Sequence, residues 1–195
     1  MEISFSMWTF RRGSVMKANE NAFALDVVSI RLVKDAEVLS DKPIKGVEDL
    51  VALLGEHMCV LDREVVCVVN LKSNGIPINC HFASMGAINY AMAHPRELLK
   101  SSILSNAAQM IMLHNHVSGS LMPSQDDVML TDRMINLCSH MGIPLLDHVI
   151  VGGNNQEYFS FQKQNILPIP KISYEKDYQK INFSMPVAAE KGRSR

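Results

Sequence analysis

The sequence has no C-x-x-C pair, no apolar run approaching the length of a membrane span, and no surplus of one charge. Its four cysteines, Cys59, Cys67, Cys80 and Cys138, are spaced for neither a zinc knuckle nor a thioredoxin-like motif. Three of them stand in apolar stretches, where cysteine acts as a small hydrophobe. That usage suits a reducing cytosol, so a cytoplasmic location is expected. A bilayer crossing needs about 20 apolar residues, so no membrane partner is expected. The opening residues MEISFSMWTFRRGSVMK lack the continuous apolar core of a secretory signal, and Met7 and Met16 offer later starts. A formal net charge of −1 provides no whole-chain positive field to recruit nucleic acid, which leaves DNA only a local patch. What is present is ordinary for a globular chain, with 47% hydrophobic and 20% charged residues in a length of 195. That is enough for one well-buried core and too short for two comfortable ones.

Residues 1–23 show no sustained period and read as a loose extension. Val28, Ile30 and Leu32 then alternate with Ser29 and Arg31, the pattern of a half-buried strand. Val47, Leu50, Val51, Leu54 and Met58 recur at helical spacing, with Glu48 and Asp49 in the first turn, where the helix dipole favours acids. The valine-rich run 65–71 predicts a strand buried on both faces. Ser73-Asn74-Gly75 is a hairpin signal, and Ile76, Ile78, Cys80 and Phe82 alternate as the return strand, where Pro77 asks for an edge or a bulge. Pro95 opens a helix reaching about residue 106, and 110–113 reads as a short strand. Leu130, Met134, Leu137 and Met141 stripe a helix that Gly142 and Pro144 end. Residues 145–151 and 158–161 read as two last strands. The order β-α-β-β-α-β-α-β-β predicts an α/β fold with a single mixed β-sheet flanked by helices. The folded domain is expected over 24–168, with a polar, disordered tail over 169–195.

The chemistry concentrates in one segment, from His114-Asn115-His116 through a Gly/Pro loop to Ser124-Gln125-Asp126-Asp127. In extended backbone, residues i and i+2 share a face, so two imidazoles can approach one ion. The chain turns back into a helix whose first turn can return a carboxylate, Asp127 or its neighbour Asp126, to the same ion. Two imidazoles and one carboxylate leave a fourth position for water, the pattern of catalytic rather than structural zinc. An H-x-H pair alone is weak, and Ser-x-x-Asp alone is a helix-capping pattern. Both together at a strand-loop-helix junction are far more specific.

H-x-H-x(7)-S-x-x-D resembles the JAMM metalloprotease motif. The wider context is similar to the RadC-like branch of JAB/MPN domains, through His94-Pro95-Arg96-Glu97, Ser105-Asn106-Ala107-Ala108, His114-Asn115-His116, Pro123-Ser124 and Leu145-Leu146-Asp147-His148 in that order. The resemblance spans about residues 27–168. It implies a cytidine-deaminase-like architecture and hydrolysis of peptide or isopeptide bonds in a peptide or protein substrate, with one Zn²⁺ per chain. By matched position, His114, His116 and Asp127 are the metal ligands, and Ser124 stabilises the tetrahedral intermediate. The family also uses an upstream glutamate as acid and base. Glu64, just before the valine strand, takes the position the pattern favours, and Glu97 in a first helical turn is its competitor. His81 reads as lying on the polar face of its strand, His57 and His140 as surface or boundary residues on helices, His94 as a helix cap, and His148 as a hydrogen-bonded core residue.

Two features depart from the family pattern. Val117 stands where proline is common, which loosens the loop without removing a ligand. Longer members carry an N-terminal helix-hairpin-helix region for which this sequence is expected to leave no room, so the resemblance lends a DNA-repair role, and a DNA partner, only weak support. Rival readings fail on their residues. An HNH nuclease spreads its signature over a ββα unit. A zinc deaminase needs H-x-E and P-C-x-x-C. The amidohydrolase H-x-H opens a barrel of about 250 residues. Two functions stay open: a zinc metallopeptidase, and a non-catalytic JAB-domain accessory protein in DNA metabolism or of a mobile element.

Overall fold

In the computed structural model, residues 30–85, 93–153 and 157–171 are described. The fold below belongs to the unit that begins at Leu32. The valine run forms β1 (Val65–Leu71), buried at every position. It turns through Ser73-Asn74-Gly75 into the antiparallel β2 (Pro77–Met85). Pro77 is accommodated as the sequence asks: β2 is an edge strand, and the register shifts where Leu71 faces Pro77. A strand edge does not need the N–H that proline lacks.

Three more strands complete a five-stranded sheet in the order β2-β1-β3-β4-β5. They are β3 (Gln109–His116), β4 (Leu145–Gly152) and β5 (Tyr158–Ser160). Only the β3–β4 pair is parallel, and the helix α4 (Gln125–Met141) makes the crossover between them. The sheet is therefore mixed and flanked by helices on both faces.

One face packs on a helical segment that is α-helical over Val47–Leu50 (α1), π-helical over Val51–Gly55, and α-helical again over Glu56–Cys59 (α2). Leu50, Leu54 and Met58 point from it into Val65, Cys67, Val69, Leu71, Ile111, Leu113, Val149 and Val151. The other face, with Val66, Val68, Met110, Met112 and Leu145, is covered by α3 (Pro95–Leu104) and α4. Each fully buried Leu, Ile, Val or Met side chain contributes about 1.5–3 kcal/mol.

The strand expected around residues 28–32 does not form where it is described. Val28 and Ser29 lie outside the described residues. Ile30, Arg31 and Leu32 carry no strand, and Ile30 is 73% exposed. Alternation alone builds no strand without a neighbour to pair with. The expected extension over 1–23 and nearly all of the tail also lie outside the described residues. Among the described residues, no helix is long and apolar enough to cross a membrane.

Candidate metal centre

β3 delivers both histidines to the face covered by α3 and α4, where they continue the row begun by Met110 and Met112. His114 and His116 are 4% and 8% exposed, with ring centroids 4.8 Å apart. The loop after them turns at Gly119, whose φ is +76°. It packs so closely on Gly152 that a Cβ there would lie 3.1 Å from the Gly119 backbone. That close approach carries the Ser120 carbonyl to 2.8 Å from His116 Nδ1. A carbonyl only accepts, so Nδ1 carries a proton and Nε2 is the ring atom left to face Asp127.

α4 returns the carboxylate. Ser124 caps the helix: its hydroxyl accepts from the Asp127 amide at 3.1 Å, while its own N–H donates back to Asp127 Oδ2 at 2.7 Å. This reciprocal pair is a capping box, and it fixes Asp127 inward while Asp126 faces solvent. Asp127 Oδ1 lies 3.0 Å from His114 Nδ1, and Oδ2 lies 3.3 Å from His116 Nε2. Burial pushes the Asp127 carboxyl up, but the contacts from His114, His116 and Ser124 outweigh it and hold the group well below the usual carboxylate range. The contact with Asp127 raises the His116 pKa against the opposing effect of burial.

One atom pair shows what the arrangement lacks. Despite the 3.0 Å approach to Asp127, neither ring nitrogen of His114 has a properly directed hydrogen bond, and both are buried. An orphaned buried polar atom costs about 1–3 kcal/mol. A cation bound between the imidazoles and the carboxylate would satisfy one of these nitrogens together with His116 Nε2. The ligating atoms of His114, His116 and Asp127 all lie within 4.8 Å of one another, and among the described residues they are the one group of three or more such side chains suited to an ion. The set of two imidazoles and one carboxylate is that of open zinc sites.

Glu64 reaches the same corner. The antiparallel register runs out at Val66 and His114, and Glu64, just before β1, lies close enough to His116 for their charges to interact. Its charge contributes to raising the His116 pKa. Glu97 is engaged elsewhere, since Lys100 binds it at 2.6 Å and lowers its pKa. The Ser124 hydroxyl donates to Asp127 Oδ2 at 2.7 Å, so at rest its proton is committed to that carboxylate.

The remaining histidines fall as the sequence suggests. His94 caps α3 by accepting from the Arg96 amide at 3.3 Å, His57 and His140 are exposed, and His81 is half-buried. His148 is fully buried, and its Nδ1 meets Thr131 Oγ1 at 2.7 Å. Thr131 donates its only hydroxyl proton to the Asp127 carbonyl at 2.6 Å. It therefore accepts from His148, which fixes the imidazole as the Nδ1–H tautomer. Burial pushes the His148 pKa down to about 3, consistent with a neutral ring. The ring lies nearly parallel to His114, with centroids 6.1 Å apart, and to Phe161, at 5.2 Å.

Sequence reasoning gave no part to Thr131, to the Ser120 carbonyl or to Asn115. Thr131 had a signal: it follows Asp127 by four residues, one helical turn. Asn115 had one too, as a polar residue in the middle of a buried strand. The Ser120 carbonyl had none, because a backbone acceptor leaves no mark in side-chain identity.

Similarity to known proteins agrees with this geometry. The family described as RadC-like JAB domain matches residues 44–166, more than half of the chain. A UPF0758 protein of Moorella thermoacetica is 37% identical over 132 residues, covering 68% of this chain and 57% of its own length. A UPF0758 protein of Desulforamulus reducens is 40% identical over 111 residues, covering 57% of this chain and 49% of its own. The chain thus spans about half the length of these curated relatives, whose names carry no activity. The matched span holds the five described β-strands, His114, His116, Asp127 and Glu64, and the chain belongs to the RadC-like JAB domain family.

Proposed function

We propose that the chain is a zinc-dependent hydrolase of peptide or isopeptide bonds. The observation that carries this reading is the convergence of two buried imidazoles, one with no hydrogen-bond partner, on an ionised Asp127. Zinc held by His114, His116 and Asp127 would supply Lewis acidity and a water acidified from 15.7 to about 7. The rest is the work of the chain. The Ser120 carbonyl and the capping box orient two of the ligands before any ion arrives. Glu64, within charge range of His116, accepts the proton of the attacking water and returns it to the leaving amine. Ser124 turns its hydroxyl from Asp127 to the oxygen that gains charge on the scissile carbonyl. The α3/α4 face buries the site, which strengthens each of these interactions.

Elemental analysis of protein purified without a histidine tag tests the site: about one zinc per chain is expected. Glu64→Ala should keep the zinc and lose peptide cleavage. DNA retained at physiological salt with no cleavage of any peptide would favour the accessory role instead.

A further inference from the structure

We propose that Asn115, the residue between the two metal-site histidines, is the positioning residue for Glu64. The inference rests on the reading of Glu64 as acid and base. Glu64 precedes β1 and has no regular structure of its own, and the last recorded β1–β3 partners at that end are Val66 and His114. Beyond them a side chain takes over. Asn115 Oδ1 accepts from the Val65 amide at 2.7 Å, and Asn115 Nδ2 donates to the Arg63 carbonyl at 3.0 Å. These two backbone groups flank a single residue. The Arg63 carbonyl belongs to the peptide unit before Glu64 and the Val65 amide to the one after it, so both dihedrals of Glu64 are constrained by one carboxamide.

Only a carboxamide of this length does both jobs. Aspartate keeps the acceptor and loses the donor, glutamine is one methylene too long, and leucine offers neither. Asn115 is 1% exposed, so water does not replace the missing partner. Strand alternation turns its side chain away from the face that carries His114 and His116. β3 therefore sets the two ligating imidazoles with one face and the Glu64 backbone with the other. A misplacement of about 1 Å in a reacting group costs on the order of 100-fold in rate, which is the scale of effect expected.

The test uses the full chain with zinc chloride added, comparing wild type, Asn115→Ala, Asn115→Asp and Glu64→Gln. The Glu64 carboxyl ¹³C resonance, identified by its loss in Glu64→Gln, should move when wild-type protein takes up zinc. In Asn115→Ala that movement should vanish while zinc stays at one per chain. The Val65 amide should exchange faster with solvent while the other β1 amides keep their protection. With a cleavable peptide, kcat should fall roughly 100-fold at unchanged KM, Asn115→Asp should fall between, and Asn115→Ala should add nothing in a Glu64→Gln background. A zinc-induced shift of Glu64 that persists in Asn115→Ala overturns the positioning role and leaves the reading of Glu64 standing. No shift in wild type, with normal cleavage by Glu64→Gln, overturns that reading and this inference with it. Loss of zinc from both Asn115 variants would show that the residue serves the ligands or the fold, and also overturns the proposal.

Discussion

The two faces of the sheet carry the same strands but answer to different constraints. Against α1, α2 and the π-helical turn between them, β1, β3 and β4 present Val65, Cys67, Val69, Leu71, Ile111, Leu113, Val149 and Val151. Those contacts require volume and little else. Against α3 and α4 the rows begin the same way, with Val66, Val68, Met110 and Met112. They then pass at one end into His114, His116 and His148, covered by Asp127 and Thr131. There each donor needs a particular acceptor, so one face answers to volume and the end of the other to polar pairing. The difference can be tested from both sides.

The largest effect is expected at Asp127. Asp127→Ala removes a ligand, so zinc affinity should fall by more than the roughly 100-fold that loss of an outer-shell partner costs. Chelator competition and elemental analysis measure it, and near-stoichiometric zinc in the variant would refute the ligand assignment. On the other face, Leu113→Ala should cost about 2–5 kcal/mol in urea unfolding, while the folded variant still takes up one zinc. If zinc fell in step with stability, the two faces would not be separable.

Acid offers a third contrast, in metal-free protein. His148, pushed down to about 3 by burial, titrates near 6.5 once unfolded. The unfolded chain therefore binds the extra proton first, and stability should fall as pH drops from about 6.5 toward 3, by at most about 1.4 kcal/mol per unit. Asp127, held low in the fold, adds a loss that begins near its unfolded value of about 4. His116 acts with the opposite sign: its raised pKa gives stability that is present below about 6.5 and lost as pH climbs through the folded value. Urea melts across pH should show a flatter acid slope for His148→Leu, and an unchanged slope would remove His148 from the account.

Smaller effects sharpen the same contrast. Thr131→Val leaves the buried His148 Nδ1–H without its acceptor and should cost about 1–3 kcal/mol of stability, read by urea unfolding. Glu97→Gln breaks only an exposed pair with Lys100. It should change stability by less than about 0.5 kcal/mol and leave zinc and cleavage as they are; a large loss of cleavage would return Glu97 to candidacy as the acid and base.

Much of this was legible in the sequence because it is local. His114, His116 and Asp127 lie within one strand-loop-helix segment, where the periods of strand and helix decide which side chains meet. Pro77 likewise announced its edge strand. What was not legible depends on contacts across the sheet. The approach of Glu64 to His116 joins distant segments, and so does the reach of Asn115 to Arg63 and Val65. The alternation around Ile30 and Leu32 misled, where it is described, for the converse reason: a local period is no guarantee of a partner.

The capping box of α4 has one last consequence. Asp127 both begins the helix, through Ser124, and faces the imidazoles of β3. An ion that draws on this carboxylate must tug at the first turn of the longest helix in the described fold. Metal loading and helix initiation therefore share one group, and the backbone amides of Ser124 and Asp127 should act as a built-in gauge of occupancy.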